Sequence, residues 1–569
     1  MERRVLLAIS LSFLVLFGYQ TFLAPKPAPE DSAGMPPAAT APMATAPAAA
    51  GAQGAPAQTP APAGPTETLV GETEVRSITV ETAQVRAVFS NRGARLEHWQ
   101  LKNYHTSAGE PLDLVPVAVA ATPATPFSLR TDDAQVTADL NQAVYRVTGV
   151  TGDTVDATGA PVTLTFEMET GGGLRARKVF TLDPQSYVIG FSASVERQGQ
   201  PIVTTIDWGA GLGDQIAQMP SGSFFSANST HPAQAIFQKD GSVTRVPHGS
   251  LGASKTEEGQ MGFAGIDDLY FVAVAINPPS PTLLHYTPLT LPDPSSPAQV
   301  GKYVSWSMRT PGPAQDLKFY FGPKQLDALR AVDPELTRVI HFGIFAWLAA
   351  PLLGALKWVH GFVGNYGWSI VVLTILINLA MWPLRHKSVV SMRRMQELQP
   401  QMKAIQDRYA KYKITDPERQ KMNTEVMELY REKGVSPASG CVPMLLTMPF
   451  LFAFYSMLSQ AIEIRGATFG GWIHDLSMPD PLYITPLLMG VTMFWQQRLT
   501  PSTADPAQQK VMMIMPFMFT FMSFNFPSGL VIYWLVSNTW AIGQQYFTNY
   551  LIGSPQVHNV RAGDKRPKA

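Results

Sequence analysis

The chain has 569 residues, 46% of them hydrophobic and only 15% charged, against about 25% charged in an average soluble protein. Its 43 basic and 43 acidic residues cancel, so no whole-molecule basic field argues for nucleic acid, and a single cysteine, Cys441, excludes an intrachain disulfide framework and any multi-cysteine metal site. A mean hydropathy of only +0.02 means that the apolar residues are concentrated in part of the chain, and the length calls for two or three units.

Met1 to Arg4 is short and basic, and the apolar run Val5 to Leu23 follows it. That run is longer than a signal-peptide core and about right for a membrane span. Pro25 follows Ala24, where it would hinder cleavage, so residues 1–23 read as an uncleaved signal-anchor helix. Arg3 and Arg4 hold its start in the cytoplasm. Residues 24–65 are mostly Ala and Pro with almost no aliphatic bulk, the composition of a disordered tether.

Residues 66–330 change character. Val162, Leu164 and Phe166 alternate with threonines, Tyr187, Ile189 and Phe191 repeat the period, and Phe271 to Ile276 is continuously apolar. Glycine and proline punctuation separates such runs, as at Gly171 to Gly173 and Asn277 to Pro279. Many short strands of this kind predict an all-β sandwich. It contains no run long enough to span, so it belongs outside the membrane on the exported side.

Asp333 and Pro334 supply a helix start. The greasy stretch behind them could span or lie along the surface. Charge decides between the two. The loop after Tyr366–Leu384 carries twelve cations from Arg385 to Lys433, which the positive-inside rule assigns to the cytoplasm. One span therefore precedes that loop, and residues 334–363 are expected to form an interfacial amphipathic helix interrupted at Pro351. Apolar segments at 443–462, 482–499, 511–526 and 530–552 then complete a five-helix core over 366–552, and six spans with the anchor. Parity puts both termini in the cytoplasm, residues 24–365 in the periplasm, and the basic tail 553–569 inside.

The cytoplasmic loop has a pattern of its own. Met392, Met395, Leu398, Met402, Ile405, Tyr409 and Tyr412 step by three and four, while Asp416-Pro417 caps a second helix that ends at Gly434. The expectation is an antiparallel helical hairpin over 385–434. Its outward cations, including Arg394, Lys403 and Lys421, suit anionic lipid headgroups or ribosomal RNA.

No GxxxxGK[ST], HExxH or GxSxG motif and no Cys/His metal spacing occurs, so neither a cofactor nor a metal is expected. Polar residues inside the membrane segments are more informative, because burying them in hydrocarbon is costly. Thr374, Asn378 and Arg385 share one helix face, Thr447 lies on the next helix, Gln496 on the following one, and Tyr533, Trp534 and Ser537 on the last. Interhelical glue is the bland explanation for any one of them. Their bias to the cytoplasmic half favours a wet groove open to the cytosol. Seventeen of the 24 methionines follow His341, and flexible thioethers suit a surface that accepts varied apolar partners.

Several stretches resemble the YidC/Oxa/Alb family of membrane protein insertases: Tyr320 to Lys324, Gly440 to Pro449, Trp472 to Leu476, Met489 to Met493 and Phe526 to Leu530. The likeness covers about residues 319–552, and the anchor with a large exported domain is similar to the Gram-negative type. That resemblance implies a multi-domain inner-membrane protein with a periplasmic β-supersandwich. It further implies a chaperone and insertase, without enzymatic activity, that moves hydrophobic segments of nascent membrane proteins through a groove into lipid. Its implied partners are the Sec translocon, the ribosome and the signal-recognition machinery. The family's groove arginine is replaced here by Asn378, and Trp534 stands where relatives often carry tyrosine. A secondary transporter and a sugar-active periplasmic enzyme are the alternatives; the first lacks an internal repeat.

Overall fold

A computed structural model of the chain describes residues 68–106, 109–115, 125–212, 233–293, 296–410, 412, 416–434, 442–500 and 512–552. The expected anchor, the linker and the basic tail lie outside these residues.

The alternating segments pair into a sandwich. One long antiparallel sheet runs in the order Thr68–Val70, Val162–Thr170, Leu174–Leu182, Val188–Arg197, Ala314–Pro323, Phe271–Ile276, Met261–Asp267, Gln234–Lys239 and Ser242–Val246. Two five-stranded sheets accompany it, and each sends a tryptophan onto the strand Ala314–Pro323. Phe319 and Phe321, two residues apart and hence on one side of their strand, carry the contact. Trp99 from one small sheet stacks on Phe321 at 5.5 Å and donates its indole N–H to the Phe321 carbonyl at 2.7 Å. Trp208 from the other stacks on Phe319 at 6.0 Å. Phe271–Ile276 is buried at every position, as its unbroken apolar run requires of a strand covered on both faces.

Among the described residues one short α-helix, α1 (Ala134–Gln142), interrupts the strands; Asp133 caps it by accepting from the Gln135 and Val136 N–H groups. A second, α2 (Leu326–Val332), leads out of the sandwich. Beyond it the chain departs from the single helix, interrupted at Pro351, that is expected over 334–363. Asp333 does cap a helical start, accepting from the Glu335 N–H, but the product is a 3-10 turn, Pro334–Val339. Gly343, at φ 64°, then begins another short turn. Only at Ala346 does an α-helix form, α3 (Ala346–Val363), and it runs through Pro351 rather than breaking there. The 3-10 turn is used for packing: Leu336 and Val339 are buried, and Arg245 donates to the Arg338 and Val339 carbonyls at 3.0 Å each.

Gly364, at φ 71°, ends α3, and Asn365 caps α4 (Tyr366–Glu397) by accepting from the Trp368 N–H. With 32 residues, α4 is about 48 Å long and outruns a hydrocarbon core of about 30 Å. The seam positions Met392 and Met395 therefore lie on α4 itself, in one helix with its apolar half. After a kink at Leu398 come α5 (Gln399–Arg408) and α6 (Pro417–Glu432). Met395, Leu398 and Tyr430 form their common core with Met402 and Val426. Asp416 caps α6 and Gly434, at φ 62°, closes it.

Among the described residues the remaining α-helices are α7 (Val442–Gln460), α8 (Ile484–Leu499), α9 (Met515–Ser523) and α10 (Ser528–Ile552). α10 packs on α8 and α4, α9 on α8, and α3 on both α4 and α7. The approach of α8 to α9 requires Gly490, since a Cβ there would sit 2.1 Å from Thr520 Oγ1. The loop before α8 is organised by Asp480, whose carboxylate accepts from the Leu482 and Thr485 N–H groups, the Thr485 hydroxyl and the Trp472 indole. That loop holds the start of α10, with the Ser528 hydroxyl donating to the Met478 carbonyl at 2.7 Å and the Gly529 N–H to Leu476 at 2.9 Å. Two of the sequence stretches that carry the family likeness thus meet in one contact.

Candidate functional site

α4, α7, α8 and α10 enclose a cavity of about 310 Å³ near the end of α4 that leads into the cationic helices. Arg385, Gln496, Tyr533, Trp534 and Ser537 line it. They come from three helices far apart in the sequence, and the fold brings them together. Tyr533 is fixed by stacking on Phe454 at 4.2 Å with nearly parallel rings. Trp534 meets Phe519 of α9 edge-on at 5.5 Å.

Asn378 and Thr374 behave otherwise. Thr374 is fully buried and its hydroxyl donates to the Ile370 carbonyl one turn back, the usual resting bond of a helical threonine. Asn378 is 3% exposed and does not line the cavity. Its amide N–H donates to the Thr374 carbonyl at 2.7 Å, and its oxygen accepts from the Arg385 guanidinium at 2.8 Å. Arg385 therefore folds back along α4 toward Asn378 while lining the cavity. Asn378 acts on the cavity by holding that guanidinium. The Thr447 side chain lies outside those described.

The lining also includes apolar residues, which polarity alone does not mark. Val389, Met392 and Leu451 are apolar; Met392 carried the heptad signal and so read as seam. Asn538, Gln544 and Gln545 complete the polar wall. The Asn538 and Gln544 amide nitrogens are buried without a hydrogen-bond partner among the described residues. Each such orphan costs about 1–3 kcal/mol unless water reaches it. An anhydrous site would leave both unsatisfied.

Past the cavity, α4 is braced against α10: His386 Nδ1 lies 3.3 Å from the Thr548 hydroxyl, and Arg393 bonds Asn549. Arg394, Lys403 and Lys421 are exposed on α4, α5 and α6, Lys421 with Glu418 at 2.6 Å. Among the described residues no group of three or more His, Cys, Asp or Glu could hold a metal ion. Two described stretches are long and apolar enough to cross a bilayer, Gly343–Val363 and Tyr366–Glu397.

Comparison with known proteins places both halves of the chain. The family described as 60Kd inner membrane protein matches residues 358–554, and the YidC periplasmic domain matches residues 77–355. A membrane protein insertase YidC from Syntrophus aciditrophicus is 35% identical, with 96% of this chain aligned to 99% of that protein. Another from Geobacter metallireducens is 33% identical over 98% of this chain and all of that one. Among solved structures, an active YidC insertase with its first transmembrane domain resolved is 18% identical, covers 85% of this chain and 94% of that one, and gives a TM-score of 0.35. A putative aldose 1-epimerase from Escherichia coli K12 is 12% identical, covers 44% of this chain and 99% of that one, and gives 0.27. At such scores neither structure adds to the assignment, which rests on sequence. Full-length identity of about one third to insertases, together with matches to both of the family's domains, establishes that this chain belongs to the YidC family of inner-membrane protein insertases, with a periplasmic β-sandwich and a helical C-terminal region.

Proposed function

We propose that the cavity around Arg385 is the inner end of a hydrated groove, open to the cytosol, that receives hydrophobic segments of nascent membrane proteins and releases them sideways into lipid. One observation carries the reading: a guanidinium and two unpartnered amides converge inside otherwise apolar helices, an arrangement stable only with water present. A groove that reaches part-way across shortens the hydrocarbon path a client's polar tail must cross. The family is one of insertases rather than enzymes, so binding and release, not bond chemistry, is what the site performs. The transporter and sugar-enzyme alternatives find no support in it.

The same reading takes the chain as six-spanning, with residues 24–365 periplasmic, both termini cytoplasmic, the α5–α6 hairpin in the cytosol and α3 along the outer interface. Supporting the last point, Trp347, Trp358 and Phe362 are exposed along α3, as aromatic residues at a headgroup boundary are. A photocrosslinker at Gln496 or Ser537 in the full chain should capture a single-span nascent client at least about fivefold more than one at Phe521, which is 72% exposed on α9. Equal capture at all three positions would rule the groove out.

Partners follow from the hairpin. Its exposed cations suit ribosomal RNA or anionic lipid, and cooperation with the Sec translocon and signal-recognition machinery follows from a client emerging at that face. Exchange of Arg394, Lys403 and Lys421 for Glu should lower ribosome co-sedimentation roughly tenfold at about 0.1 M salt, and by less at higher salt, since exposed charges are screened. Co-sedimentation unaltered at low salt would show that these residues face something else.

A further inference from the structure

A second cavity, of about 730 Å³, lies between the sandwich and the membrane helices. Tyr104 and Tyr187 of the sandwich, Gln325 beside α2, Tyr366 of α4, and Glu463 and Arg465 from the loop after α7 line it. Glu463 occupies a 3-10 turn, Ile462–Ile464. Its side chain is 3% exposed, and neither carboxylate oxygen has a hydrogen-bond partner among the described residues. The nearest cation, Lys357 Nζ, is 3.9 Å away and is bonded more closely to Asp327. Burial pushes the Glu463 carboxyl above the usual range. A buried carboxylate in this condition calls for a cation, and Tyr104, Tyr187 and Tyr366 wall the same cavity. Arg465, two residues on, stands over the Tyr270 and Phe271 rings at 5.4 and 5.1 Å, which fixes a positive group at the same cavity.

Opposite charges a few residues apart, with aromatic walls, complement a zwitterion. The depth indicates its source. Tyr366 opens α4, and Trp358, Phe362 and Trp368 are exposed beside it, the belt expected where headgroups meet hydrocarbon. From this geometry we propose that the cavity binds the primary ammonium of a zwitterionic phospholipid headgroup from the outer leaflet, with Glu463 facing the ammonium and Arg465 the phosphate. The site is separate from the groove and does not rest on the reading given for it.

Native mass spectrometry of the delipidated full chain, titrated with phosphatidylethanolamine or phosphatidylcholine, tests this. The expected result is one retained phosphatidylethanolamine, held at least tenfold better than phosphatidylcholine, whose N-methyl groups remove the N–H donors. Glu463→Gln, which keeps the shape and removes the charge, should reduce retention about tenfold while leaving the melting temperature unchanged or higher. Ala328→Trp, which fills the cavity and leaves Glu463 in place, should reduce it as well. Equal retention of the two lipids, or retention unaffected by either substitution, overturns the proposal. Displacement by millimolar soluble O-phosphoethanolamine would assign the site to a free amine and overturn the lipid source; its failure to displace supports that source.

Discussion

Arg385→Leu should lower insertion of a small client with an acidic tail at least tenfold while leaving a neutral-tailed client within about threefold of wild type. The guanidinium is the one cation among the described lining residues of the cavity, and Asn378 holds it inward at 2.8 Å. A unit charge pair at 4 Å is worth about 4 kcal/mol at an effective dielectric of 20. Hydration of the cavity, as proposed, would reduce that to about a third, and about 1.4 kcal/mol is already tenfold. Asn378→Leu should act in the same direction but more weakly, because it frees the guanidinium without deleting it. The decisive variant relocates the charge: Asn378→Arg combined with Arg385→Ala puts the cation back on the position the family usually uses, and should recover most of the acidic-tail activity. Proteoliposomes carrying each variant, assayed with clients differing only in tail charge, give the comparison. If Arg385→Leu inserts acidic and neutral tails as wild type does, the guanidinium is structural and the charge argument fails.

The relation between Asn378 and Arg385 also shows where sequence reasoning reached and where it stopped. Polar residues within apolar runs stand out in a sequence, so Arg385, Gln496, Tyr533, Trp534 and Ser537 could be picked without coordinates. Direction could not. An arginine seven residues from an asparagine can extend to water or fold back two turns, and only the packing of α4 against α10 selects the second. Val389, Met392 and Leu451 were invisible because an apolar residue on a groove wall has the same periodicity as one in a helix seam. In the sandwich, strict alternation such as Val162 to Phe166 was enough to give strands, because the period of two has no helical counterpart. Backbone punctuation was read less well. Asp416-Pro417 and Gly434 do bound a helix, yet Asp333-Pro334 starts only a 3-10 turn and Pro351 stops nothing. The difference is tertiary: the 334–339 turn is held by Arg245 and by burial of Leu336 and Val339, which outweigh the few tenths of a kcal/mol per residue that propensity supplies.

Lys178→Met should destabilise the sandwich by about 3–5 kcal/mol, because it leaves up to three buried carbonyls without this donor at about 1–3 kcal/mol each. Lys178 alternates inward with Leu174, Ala176, Phe180 and Leu182 on the long sheet, an inward place no lysine pattern would announce. It is fully buried, and its Nζ donates to the Gly93, Ala94 and Phe127 carbonyls at 2.6, 3.1 and 2.9 Å. Those acceptors belong to the turn of one small sheet and the edge of the other, so a single side chain braces all three sheets. Ala94 and Phe127 also have positive φ, 46° and 68°, conformations costing about 1–2 kcal/mol each for a residue with a Cβ, and the lysine helps hold them. For a domain of this size the loss corresponds to a melting point roughly 10 °C lower, read as earlier protease cleavage of the sandwich in the full chain on heating. The pH dependence carries a second signature. Burial pulls the ammonium from 10.5 down to about 7, so between those values the unfolded chain holds a proton that the folded one has released. Wild-type stability should then rise with pH from about 7 towards 10, by at most about 1.4 kcal/mol per unit, while a neutral amine still donates two of the three bonds. Lys178→Met lacks this rise, and the gap between the two proteins should widen over that window. A constant gap from pH 7 to 9 would mean that Lys178 stays charged in the core; an absent gap would mean that the carbonyls find other donors and the brace is not needed.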